Sequence, residues 1–206
     1  MADRPHLLFY FLHLLGVGHV FRAQRLVNAF LAAGFEVDII YGGKSVPGFV
    51  PGDATVHYLP PIAAADASYS AWLDGLGEPL GDAWMQERRV ALLKAVSSIT
   101  PDVVLTEAYP FGRRLVRHEV TAMLEALAAK PKSPMVVSSV RDILQPRQKA
   151  GRDQETVDVL KAQYDHVLIH SDPKLVRLEE TFPLTGEIDT MIGYTGFVVP
   201  EGLRRI

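Results

Sequence analysis

Leu7-Leu8-Phe9-Tyr10-Phe11-Leu12, then Gly16-Val17-Gly18-His19, then Val20-Phe21-Arg22 heading an amphipathic run to Leu31: this stretch decides the fold. An unbroken apolar run reads as a strand covered on both faces. The two glycines mark a tight turn, and Val20, Ala23, Val27, Phe30 and Leu31 recur at helical spacing. Strand, turn and helix in that order place the turn at the carboxyl edge of an α/β sheet. The opening helix offers unpaired N–H groups and a partial positive charge there, and anions and polar ligands collect at such edges.

The same pattern repeats along the chain. Gly34 stops the first helix, 35–41 reads as a second strand, and 56–59 as a short third strand ended by Pro60-Pro61. Residues 62–81 are rich in Ala, Gly and Ser around Tyr69, Trp72 and Leu73, a surface insertion or a lid over a ligand. A helix is expected over 82–99 with Met85, Leu92, Leu93 and Val96 inward, then a strand over 102–106. Pro110-Phe111-Gly112-Arg113-Arg114 opens a helix to about 129, and strands follow at 135–140 and 165–170 around a helix over 154–164. Ser171-Asp172-Pro173 caps a last helix ending near Phe182-Pro183, and 192–199 reads as a final strand. Strands alternating with helices predict an α/β, Rossmann-like, doubly wound, mostly parallel sheet with helices on both faces.

Composition narrows the function. A hydrophobic content of 48% over 206 residues supports a packed core. A formal net charge of -3 argues against a nucleic-acid partner held by a basic field. The absence of cysteine excludes a disulfide framework and a cysteine nucleophile, and fits a cytoplasmic location. The N-terminal apolar run is far shorter than the roughly 20 residues that span a bilayer, and no small-residue cleavage site follows it. Arg147, Lys149 and Arg152 read as an exposed basic loop.

The turn lacks the marks of a dinucleotide site. Phe21 stands where a third glycine belongs, and the second strand ends Tyr41-Gly42-Gly43 with no carboxylate for a ribose, so no nicotinamide or flavin cofactor is expected. Gly42-Gly43-Lys44-Ser45 imitates a P-loop, but Asp38 holds the first glycine's position and Pro47 and Gly48 follow. Metal motifs are missing too: Ala122 stands where a second histidine would complete His118-Glu119, and His166 and His170 share a strand face without a further ligand. What the turn does carry is His19 and Arg22, three apart on one side of the first helical turn, a proton acceptor beside a fixed cation. Glu107, Arg113, Arg114, Arg141-Asp142 and Asp172 converge on the same edge. Each has a plainer reading: Glu107 paired with Arg113 or Arg114, Arg141 with Asp142, and Asp172 as a cap.

Gly16-Val17-Gly18-His19-Val20-Phe21-Arg22, with Leu26 and Ala29 behind it, resembles the G-x-G-H-x-x-R loop that opens the N-terminal, acceptor-side domain of GT-B glycosyltransferases. Residues 106–114, 139–144 and 194–198 are similar to the predicted glycosyltransferases related to the bacterial GlcNAc transferase of lipid II synthesis. The resemblance implies transfer of a sugar from a nucleotide-diphosphate donor to a hydroxyl acceptor, with inversion. His19 is then the base and Glu107 a second base or acceptor ligand, with Gly16, Gly18, Arg22, Arg113, Arg141 and Asp142 binding substrate. A lipid-linked acceptor and peripheral contact with the inner membrane face are compatible with that group. A similar loop in the UDP-sugar hydrolase of pseudaminic acid synthesis leaves hydrolysis open, and a non-catalytic sugar- or lipid-phosphate-binding module is the third reading. The resemblance makes 1–199 the acceptor-side domain and 200–206 the start of an interdomain linker. The donor-binding half then lies outside these residues, and the chain by itself is expected to be inactive as a transferase.

Overall fold

A computed structural model describes residues 4–66, 70–144 and 151–200. Tyr69, Arg147, Lys149 and the expected linker beyond residue 200 lie outside the described residues. The elements are β1 (His6–Phe11), α1 (Gly18–Ala32), β2 (Glu36–Tyr41), β3 (Thr55–Tyr58), β4 (Ala63–Ala64), β5 (Trp72–Leu73), α2 (Asp82–Ser97), β6 (Val103–Glu107), α3 (Arg117–Ala128), β7 (Met135–Arg141), α4 (Arg152–Gln163), β8 (His166–His170) and β9 (Ile192–Tyr194). Seven strands form one sheet in the order β3-β2-β1-β6-β7-β8-β9, every neighbouring pair parallel. From β1 the chain first moves outward through β2 and β3, then crosses back to β6 on the other side of β1. This reversal opens a crevice at the carboxyl ends of β1 and β6, where ligands of such sheets bind.

Alternation along β1 divides the core. Leu7, Phe9 and Phe11 pack with Val20, Ala23 and Val27 of α1 on one face. Leu8, Tyr10 and Leu12 pack on the other face with Leu92 and Val96 of α2, Val120 and Met123 of α3, and Val157 and Leu160 of α4. Both faces are therefore covered, as the unbroken apolar strands require.

The second face also buries a charge. Arg88 of α2 has no exposed surface; its Nε and Nη2 donate to the Glu119 carboxylate at 3.1 and 2.9 Å, and its Nη1 donates to the carbonyls of Gly42 and Pro60. The Tyr10 hydroxyl donates to the same carboxylate at 2.7 Å. This network explains the glycine pair after β2. A Cβ on Gly42 would lie 2.7 Å from Arg88 Nη2, and one on Gly43 would lie 2.5 Å from the His13 backbone oxygen. The P-loop-like sequence thus reflects close packing.

Three expectations are corrected. Arg113 takes a left-handed conformation, φ 59°, so no helix opens at Pro110; a single 3-10 turn over Arg114–Val116 leads into α3 at Arg117. The helix expected from Pro173 is absent. Asp172 caps only a turn, accepting the Lys174 N–H at 2.9 Å, and extended backbone at Arg177 is followed by a Leu178 N–H that donates to the Tyr194 hydroxyl. The final strand covers only Ile192–Tyr194, because Thr195 turns its hydroxyl toward His170 and Gly196 has a positive φ. The insertion after β3 is a short antiparallel hairpin, β4 with β5, tied down by Ile62 in the core and by Trp84 Nε1 donating to the Pro61 carbonyl. Among the described residues no helix is long and apolar enough to cross a membrane.

Removing one partner of a buried ion pair strands the other. Glu119→Leu should cost about 3–5 kcal/mol in urea denaturation. Glu155→Ala, which breaks the exposed pairs with Arg114 and Arg117, should stay within about 1 kcal/mol.

Candidate functional site

Glu107, the last residue of β6, is the centre of the crevice. Its side chain has no exposed surface, and its Oε1 accepts from two groups of α1: His19 Nδ1 at 2.9 Å and Arg22 Nη2. Arg113 Nη2 stands 3.9 Å from Oε2. The structure therefore joins four of the residues singled out in the sequence into one cluster. Burial pushes the Glu107 carboxyl up, but the His19 hydrogen bond and the Arg22 and Arg113 charges outweigh it and hold the group below the usual carboxylate range.

Local backbone geometry explains the convergence. Gly16 has φ 76°, which only glycine adopts without strain, and it brings the chain out of β1 into α1. Val17 precedes the helix without a side-chain cap, so α1 opens with the His19 ring facing the β6 end, and Arg22 follows one turn later. Beyond β6, Ala108 and Arg113 both have positive φ, 64° and 59°. Such conformations cost non-glycine residues of order 1–3 kcal/mol and persist where surrounding contacts impose them. Here the Ala108 N–H donates to the Ser139 carbonyl at 2.8 Å, while Thr106 and Ser138 hydroxyls both donate to the Tyr109 carbonyl. The loop is held so that Arg113 returns over Glu107. Glu107 Oε2, Arg22 Nε, and Arg113 Nε and Nη2 are buried without hydrogen-bond partners among the described residues, leaving polar capacity at the crevice floor.

The hydrogen bonding also decides what His19 can do. His19 Nδ1 lies 2.9 Å from Glu107 Oε1 and 3.1 Å from Arg22 Nη2. The carboxylate can only accept and Arg22 Nη2 already donates to it, so the shorter contact favours the imidazole proton on Nδ1 and a lone pair on Nε2. A carboxylate fixing tautomer and orientation behind an imidazole is the arrangement of a general base.

Other candidates lie apart from this cluster. Arg114 turns away and, with Arg117, pairs with Glu155 of α4. Arg141 and Asp142, at the end of β7, form a solvent-facing pair with Nε and Oδ1 3.4 Å apart. Gly18 begins α1 without a positive φ, and a Cβ there would meet nothing within 4 Å, so neither backbone conformation nor packing among the described residues requires a glycine at this position.

Two histidines join the site that sequence reasoning missed as functional. His170, at the end of β8, is 4% exposed; its Nε2 lies 2.8 Å from Ser139 Oγ and its Nδ1 2.8 Å from Thr195 Oγ1. Burial, helped by the nearby Arg22 charge, lowers its pKa to about 4, so it is neutral at physiological pH. His13, in the loop before the turn, is also lowered by burial, with Arg113 and His19 adding to the effect. The signal for His170 was its position: the last residue of a strand that ends at the same mouth.

No protein-family model matches this chain, and no curated protein matches it. Solved structures do. The calicheamicin glycosyltransferase CalG4 superposes with a TM-score of 0.50 at 14% identity, over 94% of this chain and 53% of that chain. UGT2 of Phytolacca americana, in complex with UDP-2-fluoroglucose and pterostilbene, gives a TM-score of 0.54 at 10% identity, over 98% and 56%. A Polygonum tinctorium UDP-glucosyltransferase capable of glucosylating indoxyl gives 0.54 at 13%, over 99% and 55%. The fold is that of the N-terminal half of a GT-B glycosyltransferase, and the chain spans little more than half the length of these proteins.

His170 makes stability pH-dependent in a defined direction. Unfolded, its imidazole takes up a proton near pH 6.5; folded, not until about pH 4. Between those values the unfolded chain binds more protons, so stability falls as pH falls, by roughly 3 kcal/mol over the window. Urea denaturation at pH 7 and pH 4.5 should show a smaller loss for His170→Asn than for the wild type; His13 contributes in the same direction in both.

Proposed function

We propose that this chain is the acceptor-side half of a glycosyltransferase that moves a sugar from a nucleotide-diphosphate donor to a hydroxyl, with inversion at the anomeric carbon. The observation that carries the reading is the His19–Glu107 pair, set at the crevice where the order of the sheet reverses. His19 Nε2 takes the proton of the acceptor hydroxyl as its oxygen attacks the anomeric carbon. The bond from that carbon to the diphosphate breaks on the opposite side, and the diphosphate leaves with the bonding pair. Glu107 holds the ring through Nδ1–H and stabilises the imidazolium that forms. Arg22 and Arg113 keep Glu107 ionised in its buried position. No metal or redox cofactor enters this scheme.

The reading requires a second half that grips the nucleotide, as it does in the resemblance to GT-B enzymes. Exposed Leu15 and Val17 flank the turn, while Leu175 and Phe197 are exposed in the segments after β8 and β9. Exposed apolar side chains in the segments at the strand ends are compatible with an acceptor that has an apolar body, and the resemblance to the lipid II group makes a lipid-linked hydroxyl the acceptor class we propose.

The test is release of nucleoside diphosphate from UDP-sugars and other nucleotide sugars by this chain joined to a donor-binding half, with and without hydroxyl acceptors. His19→Ala should lower turnover by about 10²–10⁴-fold without loss of fold by circular dichroism. Glu107→Gln should lower kcat by about 10²-fold or more, because the ring loses its charged partner. Turnover that survives His19→Ala overturns the assignment, and release that needs no acceptor points to hydrolysis.

A further inference from the structure

The first three strands carry a second polar cluster, set toward the amino ends of β1 and β2 and away from the His19 turn. Register places its members on one sheet face: His6 pairs with Glu36, Asp38 with Thr55 and Ile40 with His57. The buried Asp38 carboxylate meets two imidazoles, His6 Nε2 on Oδ2 at 2.6 Å and His57 Nε2 on Oδ1 at 2.5 Å. Glu36 stands beside them on β2, and one ligand atom each from His6, Glu36 and Asp38 lie within 4.8 Å of one another. Two carboxylates are thus drawn together on adjacent positions of one strand face. The Glu36 carboxylate has no hydrogen bond or ion pair of its own among the described residues.

We propose that His6, Glu36 and Asp38 hold one first-row divalent cation of the zinc class, with water completing its shell. The donor set is one imidazole nitrogen and two carboxylate oxygens, which suits a borderline cation such as Zn²⁺. At bond lengths of about 2.0–2.2 Å, ligand atoms around a tetrahedral ion stand ~3.3 Å apart. His6 Nε2 and Asp38 Oδ2 therefore need to part by less than about 1 Å from their 2.6 Å contact, and the exposed Glu36 side chain is free to close in. His57 does not ligate. Its Nε2–H donates to Asp38 Oδ1 and aims the other oxygen at the ion, as outer-shell partners of metal carboxylates do. On binding, the His6 proton leaves Nε2, so that this nitrogen presents its lone pair.

The position also sets the role. Groups at the amino edge of a parallel sheet lie away from the mouth where ligands bind, so a cation there serves stability, whereas chemistry sits at the carboxyl edge. The cation joins β1 to β2 directly and holds β3 through His57, fastening the outer strands of the sheet. This inference stands independently of the glycosyltransferase reading.

Chelator-treated protein without a histidine tag is titrated with ZnCl₂ by isothermal calorimetry, and its melting is followed with and without zinc. One zinc per chain is expected, with a raised Tm. Glu36→Gln leaves the buried part of the cluster intact and should weaken binding at least tenfold, as should His6→Gln, while His118→Gln, an exposed histidine elsewhere, should bind as wild type. In Co²⁺-loaded protein the visible absorption of a low-coordinate oxygen and nitrogen site should appear in wild type and vanish in Glu36→Gln. Absence of stoichiometric uptake overturns the proposal, as does uptake that is unchanged in both Glu36→Gln and His6→Gln.

Discussion

A guanidinium with no exposed surface holds one face of the sheet together. Arg88 can stay charged there only because its donors are matched, by the Glu119 carboxylate and by the carbonyls of Gly42 and Pro60. Through that set α2 is bound to α3, to the end of β2 and to the segment after β3, and the Tyr10 hydroxyl adds β1. Geometry around a buried charge is intolerant of drift. The loop after β2 therefore lies directly on His13, and the chain that leaves β1 for the His19 turn rests on a fixed floor. Precise placement of side chains at a binding crevice depends on this kind of support.

On that floor the crevice brings together groups of opposite need. Glu107 is buried deeply enough to favour protonation, yet three cationic or hydrogen-bonding neighbours keep it ionised. His170, two strands away, is kept neutral by the same burial. One sheet edge thus holds an ionised carboxylate and an uncharged imidazole, with His19 between α1 and β6. The left-handed Ala108 and Arg113 show how tightly the loop is held, since neither residue favours that conformation alone.

Much of this was legible in the sequence, for identifiable reasons. The apolar runs of β1, β2, β6 and β7 and the spacing of Val20, Ala23 and Val27 announced a parallel sheet covered on both faces. The positions of His19, Arg22, Glu107 and Arg113 followed from the rule that strand ends form the mouth, and the structure joins all four. What failed was local. Pro110 and Pro173 looked like helix starts, but Arg113 turns left-handed and Leu178 gives its N–H to Tyr194, contacts that depend on distant parts of the chain. Nothing along the chain marks Arg88 and Glu119 as partners, because no local spacing signals a contact 31 positions away. His6, Asp38 and His57 sit on three strands and meet only through register, so no motif search along the chain finds them.

The glycine pair after β2 divides the mouth into a part that can change and a part that cannot. With Arg88 against Gly42 and the His13 backbone against Gly43, neither position admits even a methyl group without displacing a neighbour. The loop tip after β5 faces no such contact: Leu76 is 81% exposed, and a Cβ on the neighbouring Gly77 would meet nothing within 4 Å. Divergence among proteins built on this frame would accumulate at exposed positions such as Leu76, and an engineer seeking a new ligand would vary that loop tip while leaving Gly42 and Gly43 untouched.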